Sequence, residues 1–173
     1  MIIKQNLIKI KEKIEKSKHS SDQNIEIIAV TKTQPLSVIK ECYENGIRSI
    51  GENKIQEAEE KFKTHLKIHG LIKRFIGHLQ TNKVNKCLKL FNTIDSVDTI
   101  KLSLKINKSA KLLNKKIPIL LEVNTSGEQQ KHGFLMEELD KMLKCFEFTN
   151  LKIQGLMTIA PASQNEKALR KSF

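Results

Sequence analysis

The chain has 173 residues, 39% of them hydrophobic and 29% charged, which is enough for one folded domain with a core and too little for two full domains. Its net charge of +12 comes mainly from lysines spread over nearly every predicted helix. With few arginines, one tyrosine and no tryptophan, it offers no stacking platform for specific nucleic-acid binding. No apolar run approaches the ~18 residues of a membrane helix, and the amino terminus does not resemble a signal peptide, so we expect a cytoplasmic protein without membrane contacts.

Strand-like and helical patterns alternate along the whole chain. An amphipathic helix containing Leu7, Ile10 and Ile14 comes first. Short apolar, β-branched runs then predict strands at 25–32, 48–52, 73–78, 93–96, 117–124 and 151–159. Between them, helical periodicity predicts helices at 35–45, 54–66, 81–90, 99–113 and 136–148. Gly46, Gly70 and Asn114 lie at or near the predicted helix ends, where such residues usually stop a helix.

This alternation predicts an α/β fold with a parallel sheet, either an open doubly wound sheet or a (β/α)8 TIM-type barrel. The glycine-rich dinucleotide and nucleotide motifs are missing from the sequence, so we favour the barrel. Only about six of the eight strands of a barrel are visible, and residues 171–173 fall within the start of a further helix. We therefore expect residues 1–173 to form a single barrel domain that is incomplete at its C-terminus.

The three cysteines and the histidines give no sign of a metal centre. Cys42, Cys87 and Cys145 are far apart and lie in predicted helices, so we expect them to pack in the core rather than form disulfides or hold zinc. His65 and His69 are four residues apart, but the pair straddles a helix end and lacks the glutamate of a zinc-protease motif. The sequence therefore predicts no metal site.

Lys32 stands where the first predicted strand passes into a helix, the position where α/β proteins usually place their chemistry. If the lysine is withdrawn from water, its neutral amine becomes a nucleophile that can form a Schiff base with an aldehyde or ketone. Alternatively, the side chain extends to solvent at the rim of the sheet, where its only role is to be solvated. Position alone leaves both readings open.

Other polar residues lie at the ends of the later strands, and in a barrel these ends meet at one mouth. Asn53 either binds a ligand or caps the helix that starts near Lys54, and His78 either contacts a ligand or is held by the backbone. Glu122 faces inward, where a structural ion pair with a basic residue is expected. The remaining residues at strand ends are Ser96, Asn124, Met157 and Thr158.

Six motifs in order resemble those of the pyridoxal phosphate homeostasis protein family. They are I-A-V-T-K-T at 28–33, G-E-N-K-I-Q-E-A at 51–58, F-I-G-H-L-Q-T-N-K at 75–83, D-S-V-D at 95–98, V-N-T-S-G-E at 123–128 with K-H-G at 131–133, and G-L-M-T-I at 155–159. The resemblance implies a barrel similar to the N-terminal domain of alanine racemase. It also implies that pyridoxal 5'-phosphate (PLP) is held as a Schiff base on Lys32.

By the same resemblance, Asn53, His78 and Met157 are expected near the cofactor ring, and Ser96, Asn124 and Thr158 are further candidates. The implied role is homeostasis of PLP and its vitamers, without catalytic turnover and without catalytic residues. PLP-dependent enzymes that receive the cofactor are the implied partners. Family members are expected to be monomers.

Family members continue beyond the last motif into strands that bind the phosphate, and those segments are not in this sequence. We therefore expect weaker PLP binding than in a full-length relative, and unpaired sheet edges that favour self-association. One alternative function is a PLP-dependent racemase, which needs a second acid-base group, although the only tyrosine, Tyr43, is expected to pack within the first crossover helix. A truncated, non-functional remnant is the other alternative.

Overall fold

The computed structural model describes residues 2–63, 68–163 and 165–173. Six parallel strands form one sheet in chain order, so each strand pairs with its neighbours in the sequence. The strands are β1 (Ile28–Val30), β2 (Ser49–Glu52), β3 (Ile72–Phe75), β4 (Thr93–Val97), β5 (Ile117–Glu122) and β6 (Leu151–Met157). All six predicted strands are confirmed, and β1 and β6 are the two edges of the described sheet.

Helices connect the strands, as a parallel sheet requires. They are α1 (Ile2–Ser17), α2 (Leu36–Glu44), α3 (Ile55–Lys63), α4 (Val84–Leu90), α5 (Ile100–Leu112), α6 (Leu139–Lys144) and α7 (Glu166–Lys171). The helix predicted at 136–148 is divided into α6 and two flanking 3-10 turns, Met136–Glu138 and Cys145–Glu147. The predicted end of the third helix, at 64–66, and the pairing of His65 with His69 lie outside the described residues.

Apolar side chains of the sheet and of the crossover helices form the main core. Its fully buried members include Phe75, Ile94, Ile119, Leu102 and Ile106. A second, smaller cluster joins α1 to α2 through Leu7, Cys42 and Ile47. None of the helices in the described residues combines the length and apolar character needed to cross a bilayer.

The cysteines confirm the packing role predicted for them. Cys42, Cys87 and Cys145 are buried and free, and Cys87 and Cys145 belong to the main core. Burial raises the pKa of all three thiols. A buried thiol with a raised pKa is a weak nucleophile, so these cysteines contribute packing rather than chemistry.

Candidate functional site

Lys32 follows β1 at the carboxyl edge of the sheet, between a buried Thr31 and an exposed Thr33. Thr33 has a φ of 63°, a left-handed conformation that turns the chain sharply away from the strand. The Lys32 side chain is exposed. The prediction that Lys32 is withdrawn from water is therefore wrong. Its amine is directly accessible from solvent.

A buried ion pair lies directly beneath Lys32. Glu52, the last residue of β2, is 0% exposed and accepts a hydrogen bond from the Thr31 hydroxyl at 2.7 Å. The Lys61 ammonium, on α3, donates to the same Glu52 oxygen at 2.9 Å and to the Thr31 carbonyl at 2.8 Å. These bonds fasten the end of β1 to β2 and α3 one residue before Lys32.

Glu57 extends this network to the other side of Lys32. Its carboxylate accepts hydrogen bonds from the Lys61 ammonium at 2.7 Å and from the Thr33 backbone N–H. The bond from Lys61 lowers the pKa of Glu57 below its usual value. Burial by itself lowers the pKa of Lys61, but hydrogen bonds to Glu57 and Glu52 outweigh burial and raise it. Both chain neighbours of Lys32 are thus held by charged groups of α3 and β2.

Asn53 and His78 line one cavity of about 280 Å³, together with Lys54 and Lys83. Gly77 makes this arrangement possible, because a Cβ atom at its position would lie 2.3 Å from the Asn53 carbonyl oxygen. Helix α3 begins at Ile55, so Lys54 rather than Asn53 directly precedes it. This boundary does not fit the capping role considered for Asn53. The position of Asn53 in the cavity wall fits the alternative, a contact with a ligand.

His78 is hydrogen-bonded to a side chain, not to the backbone as one reading of the sequence expected. Its Nδ1 atom lies 3.0 Å from Oδ2 of Asp98, and its ring stacks on that of His132 with centroids 3.8 Å apart. The loop that carries His78 is tied to β4 by the Ser96 hydroxyl, which donates to the Gly77 carbonyl. Ser96 therefore positions the His78 loop from the neighbouring strand.

The polar residues after β5 and β6 hold the loops at the ends of these two strands. The Asn124 side chain is buried and donates to the Glu128 carbonyl at 2.9 Å, which shapes the turn after β5. The Thr158 hydroxyl donates to the Val123 carbonyl at 2.8 Å and so joins the end of β6 to β5. Met157 is half-buried and lines a cavity of about 480 Å³ beside them.

Among the described residues, Glu122 does not form the ion pair predicted for it. The carboxyl is buried at the end of β5, and its pKa is raised by burial and by the charge of Asp98, while His78 lowers it. Two acidic side chains, Glu122 and Asp98, consequently stand near each other at the sheet edge.

Every site residue predicted from the sequence lies within three positions of the carboxyl end of a strand. These residues are Lys32, Asn53, His78, Ser96, Asn124, Met157 and Thr158. Sequence reasoning missed the groups that surround them, namely Glu52, Glu57, Lys61, Asp98 and His132. The four-residue spacing of Glu57 and Lys61 on α3 was the one local signal of this network. Tyr43 packs as expected, with its hydroxyl donating to the His69 carbonyl.

Comparison with known proteins gives a consistent set of relatives. The model of the alanine racemase N-terminal domain matches residues 5–173. Pyridoxal phosphate homeostasis proteins from Helicobacter pylori and Escherichia coli K12 are 35% and 32% identical, over 93% and 95% of this chain and 74% and 72% of the relatives. The chain belongs to the pyridoxal phosphate homeostasis protein family. The match to the relative from Synechocystis, at 38% identity, covers 80% of this chain but only 64% of the relative's length.

Solved structures agree with this family assignment. A protein of unknown function from Bifidobacterium adolescentis superposes with a TM-score of 0.88 and 28% identity, over 98% of this chain and 74% of that one. PipY of Synechococcus elongatus, solved with PLP bound, gives a TM-score of 0.76 and 28% identity over 89% of this chain and 70% of its own. Alanine racemase of Clostridium difficile, 18% identical with a TM-score of 0.69 over 87% of this chain and 39% of its own, shares the fold. The chain therefore has an alanine racemase-like fold.

Proposed function

We propose that this chain binds PLP as a Schiff base on Lys32 and serves in the homeostasis of PLP rather than in catalysis. The observation that carries the proposal is the position of Lys32. Its accessible amine stands at the carboxyl edge of the sheet, in a chain related to PipY, which has been solved with PLP bound. The relatives' names describe homeostasis proteins, which supports a carrier or regulator without turnover. The residues 1–173 would act together as one cofactor-binding domain.

An accessible lysine amine suits an aldehyde ligand. The Lys32 amine would attack the aldehyde carbon of PLP, forming a C=N bond and releasing the carbonyl oxygen as water with two protons of the amine. Because Thr31 and Thr33 are both hydrogen-bonded to the Glu52–Lys61–Glu57 network, the backbone from which this amine extends is held in place. A fixed origin reduces the entropy lost when the side chain is tethered to a ligand.

Asn53 and His78 supply an amide and an imidazole on one cavity wall, and these groups can hydrogen-bond to ring substituents. We assign the contacts with the cofactor ring to these two residues and to Met157. Ser96, Asn124 and Thr158 are further proposed contacts. Their hydrogen bonds also hold the loops at the ends of β3, β5 and β6.

A spectroscopic titration tests the binding proposal. PLP is added to the purified chain, and the absorbance band of a protein-bound Schiff base is followed. We expect the band in the wild type and in Lys40→Ala, which removes an exposed amine from α2, outside the proposed site. We expect no band in Lys32→Ala. An unchanged band in Lys32→Ala would show that PLP reacts elsewhere.

PLP-dependent enzymes are the proposed recipients of the cofactor. A transfer assay tests this part separately: the PLP-loaded chain is mixed with an apo form of a PLP-dependent enzyme, and the recovery of that enzyme's activity is timed. We expect activity to recover even when a reagent that reacts with aldehydes is present to remove free PLP. Recovery that is suppressed by the scavenger as strongly as with free PLP contradicts a carrier role while leaving PLP binding intact.

A further inference from the structure

We propose that His78, Asp98 and His132 form a binding site for a divalent transition-metal ion such as Zn²⁺. One ligand atom from each of the three side chains lies within 4.8 Å of the other two. The residues come from three separate loops, after β3, after β4 and after β5, and meet at the carboxyl edge of the sheet. This metal site is distinct from the Lys32 amine and does not depend on PLP binding.

The distances suit a shared ion. Oδ2 of Asp98 lies 3.0 Å from Nδ1 of His78 and 3.8 Å from Nδ1 of His132. Zinc bonds of about 2.0–2.2 Å in tetrahedral geometry place neighbouring ligand atoms roughly 3.4 Å apart. The two oxygen–nitrogen distances lie on either side of this value. The rings stack at an angle of 13°, so their in-plane lone pairs run nearly parallel, and the exposed His132 ring has to turn about its side-chain bonds for both nitrogens to reach one ion.

The loops of His78 and Asp98 are held in place before any ion binds. The Ser96 hydroxyl, two residues before Asp98, donates to the carbonyl of Gly77, the residue before His78. This bond joins the two loops next to both ligands. Asp98 follows the last residue of β4 directly, so its backbone has little freedom.

The loop of His132 is equally fixed. Gly133 adopts a φ of +122°, and a Cβ there would lie 2.6 Å from the Asn124 nitrogen, so only glycine permits this approach to the end of β5. Phe134 then pairs with β5 through both backbone groups, donating to Glu122 at 2.7 Å and accepting from Asn124 at 2.9 Å. These bonds hold the residue two positions after His132 against the sheet.

The charge balance at the cluster favours a cation. The Asp98 side chain is 6% exposed, and its ion-pair partners among the described residues are the two histidines, which are charged only when protonated. A second buried carboxyl group, Glu122, lies close enough to interact electrostatically with Asp98. Two imidazoles and one carboxylate are ligands that suit Zn²⁺, Co²⁺ or Ni²⁺ better than Mg²⁺ or Ca²⁺. Three protein ligands also leave a coordination position open for water or another small ligand.

Metal binding and the proposed cofactor contact of His78 are compatible. The ion would use Nδ1, which leaves Nε2 available on the ring that lines the cavity with Asn53. An ion at Nδ1, together with a hydrogen bond at Nε2, would fix the orientation of this ring, as paired interactions at the two ring nitrogens do for histidines in metalloproteins.

The site is tested by titrating the chain, prepared without a histidine tag and stripped with a chelator, with Co²⁺ alone and then with Zn²⁺ as competitor, in the absence of PLP. Visible Co²⁺ absorption reports the ligand set, and a missing thiolate charge-transfer band excludes the cysteines. We expect one equivalent to bind in the wild type. His132→Gln and Asp98→Asn should each weaken binding at least tenfold, whereas His19→Gln, which removes a histidine far from the cluster in the sequence, should bind like the wild type.

Equal affinity in the wild type, Asp98→Asn and His132→Gln would overturn the proposal, as would the absence of stoichiometric binding in the wild type. Because His132 is exposed, its replacement leaves the core untouched, and far-ultraviolet circular dichroism confirms folding of each variant.

Discussion

Among the described residues, Lys61 is the only ion-pair partner of Glu52, and replacing Lys61 with methionine removes this countercharge. The Glu52 carboxyl is 0% exposed, and its Oε2 atom is buried without a hydrogen-bond partner in that part of the chain. In the variant, the Thr31 hydroxyl is the one donor to Oε1 that remains among the residues the structure describes. We expect Lys61→Met to destabilise the fold strongly at neutral pH, because the carboxylate then lacks a countercharge.

The size of the effect follows from the loss of one partner of a buried ion pair. Such a loss costs about 3–5 kcal/mol, because the remaining charge stays buried without compensation. The free energy of unfolding should therefore fall by about 3–5 kcal/mol at pH 7.

Urea unfolding followed by circular dichroism at pH 7 measures this loss. The double variant Glu52→Gln/Lys61→Met should recover much of the loss at pH 7, because it removes the charge together with its partner. Lys86→Met is the matched control: Lys86 pairs with Glu59 at a more exposed position, where such a pair contributes about 0–1 kcal/mol. Equal losses for Lys61→Met and Lys86→Met would refute the reasoning.

Three further changes probe other parts of the structure. Gly77→Ala should lower the unfolding free energy by about 1–3 kcal/mol and weaken PLP binding, because its Cβ would overlap the Asn53 carbonyl; unaltered urea unfolding contradicts this. Glu57 has a lowered pKa through its bond to Lys61, so its contribution to stability is present at neutral pH and is lost as pH falls below the ordinary value of 4.5. Glu57→Gln should therefore be less stable than the wild type at pH 7, and this difference should shrink as the pH falls further below that value; a constant difference argues against it. Leu156 is 65% exposed on the edge strand β6, and Leu156→Lys should reduce self-association in light scattering, a result that an unchanged mass would contradict.

The strands could be predicted from the sequence because apolar β-branched runs alternate with helical periodicity along the chain. Their lengths could not, because a strand ends where its pairing partner ends. The first strand was expected at 25–32, but β1 lies at an edge and pairs only with three residues of β2, so it covers Ile28–Val30. Likewise β6 ends at Met157, which pairs with the last residue of β5, rather than at 159.

The interrupted helix after β5 has a local cause that periodicity does not reveal. The Glu138 carboxylate accepts the Leu135 backbone N–H, and this bond accompanies a 3-10 turn before α6 begins. Apolar spacing is nearly the same for a continuous helix and for a helix with 3-10 ends. The pattern at 136–148 therefore predicted the element without its interruptions.

The candidate site shows the same division between local pattern and tertiary contact. Lys32 and His78 could be placed at the sheet edge because residues after parallel strands share that edge. The pairing of Lys61 with Glu52 joins a helix to a strand, and the contact of His78 with Asp98 joins two loops twenty residues apart. Such contacts depend on the packed fold, so no local sequence pattern indicates them.

Reductive trapping on Lys32 is the most direct test of the proposed function. The chain is incubated with PLP, reduced with borohydride, digested and mapped by mass spectrometry, with Lys32→Arg as the variant that keeps the positive charge but cannot form the imine. We predict a phosphopyridoxyl group on the peptide that contains Lys32 as the dominant adduct, and its loss in Lys32→Arg. Adducts spread evenly over surface lysines, with the same total yield in Lys32→Arg, would contradict the account.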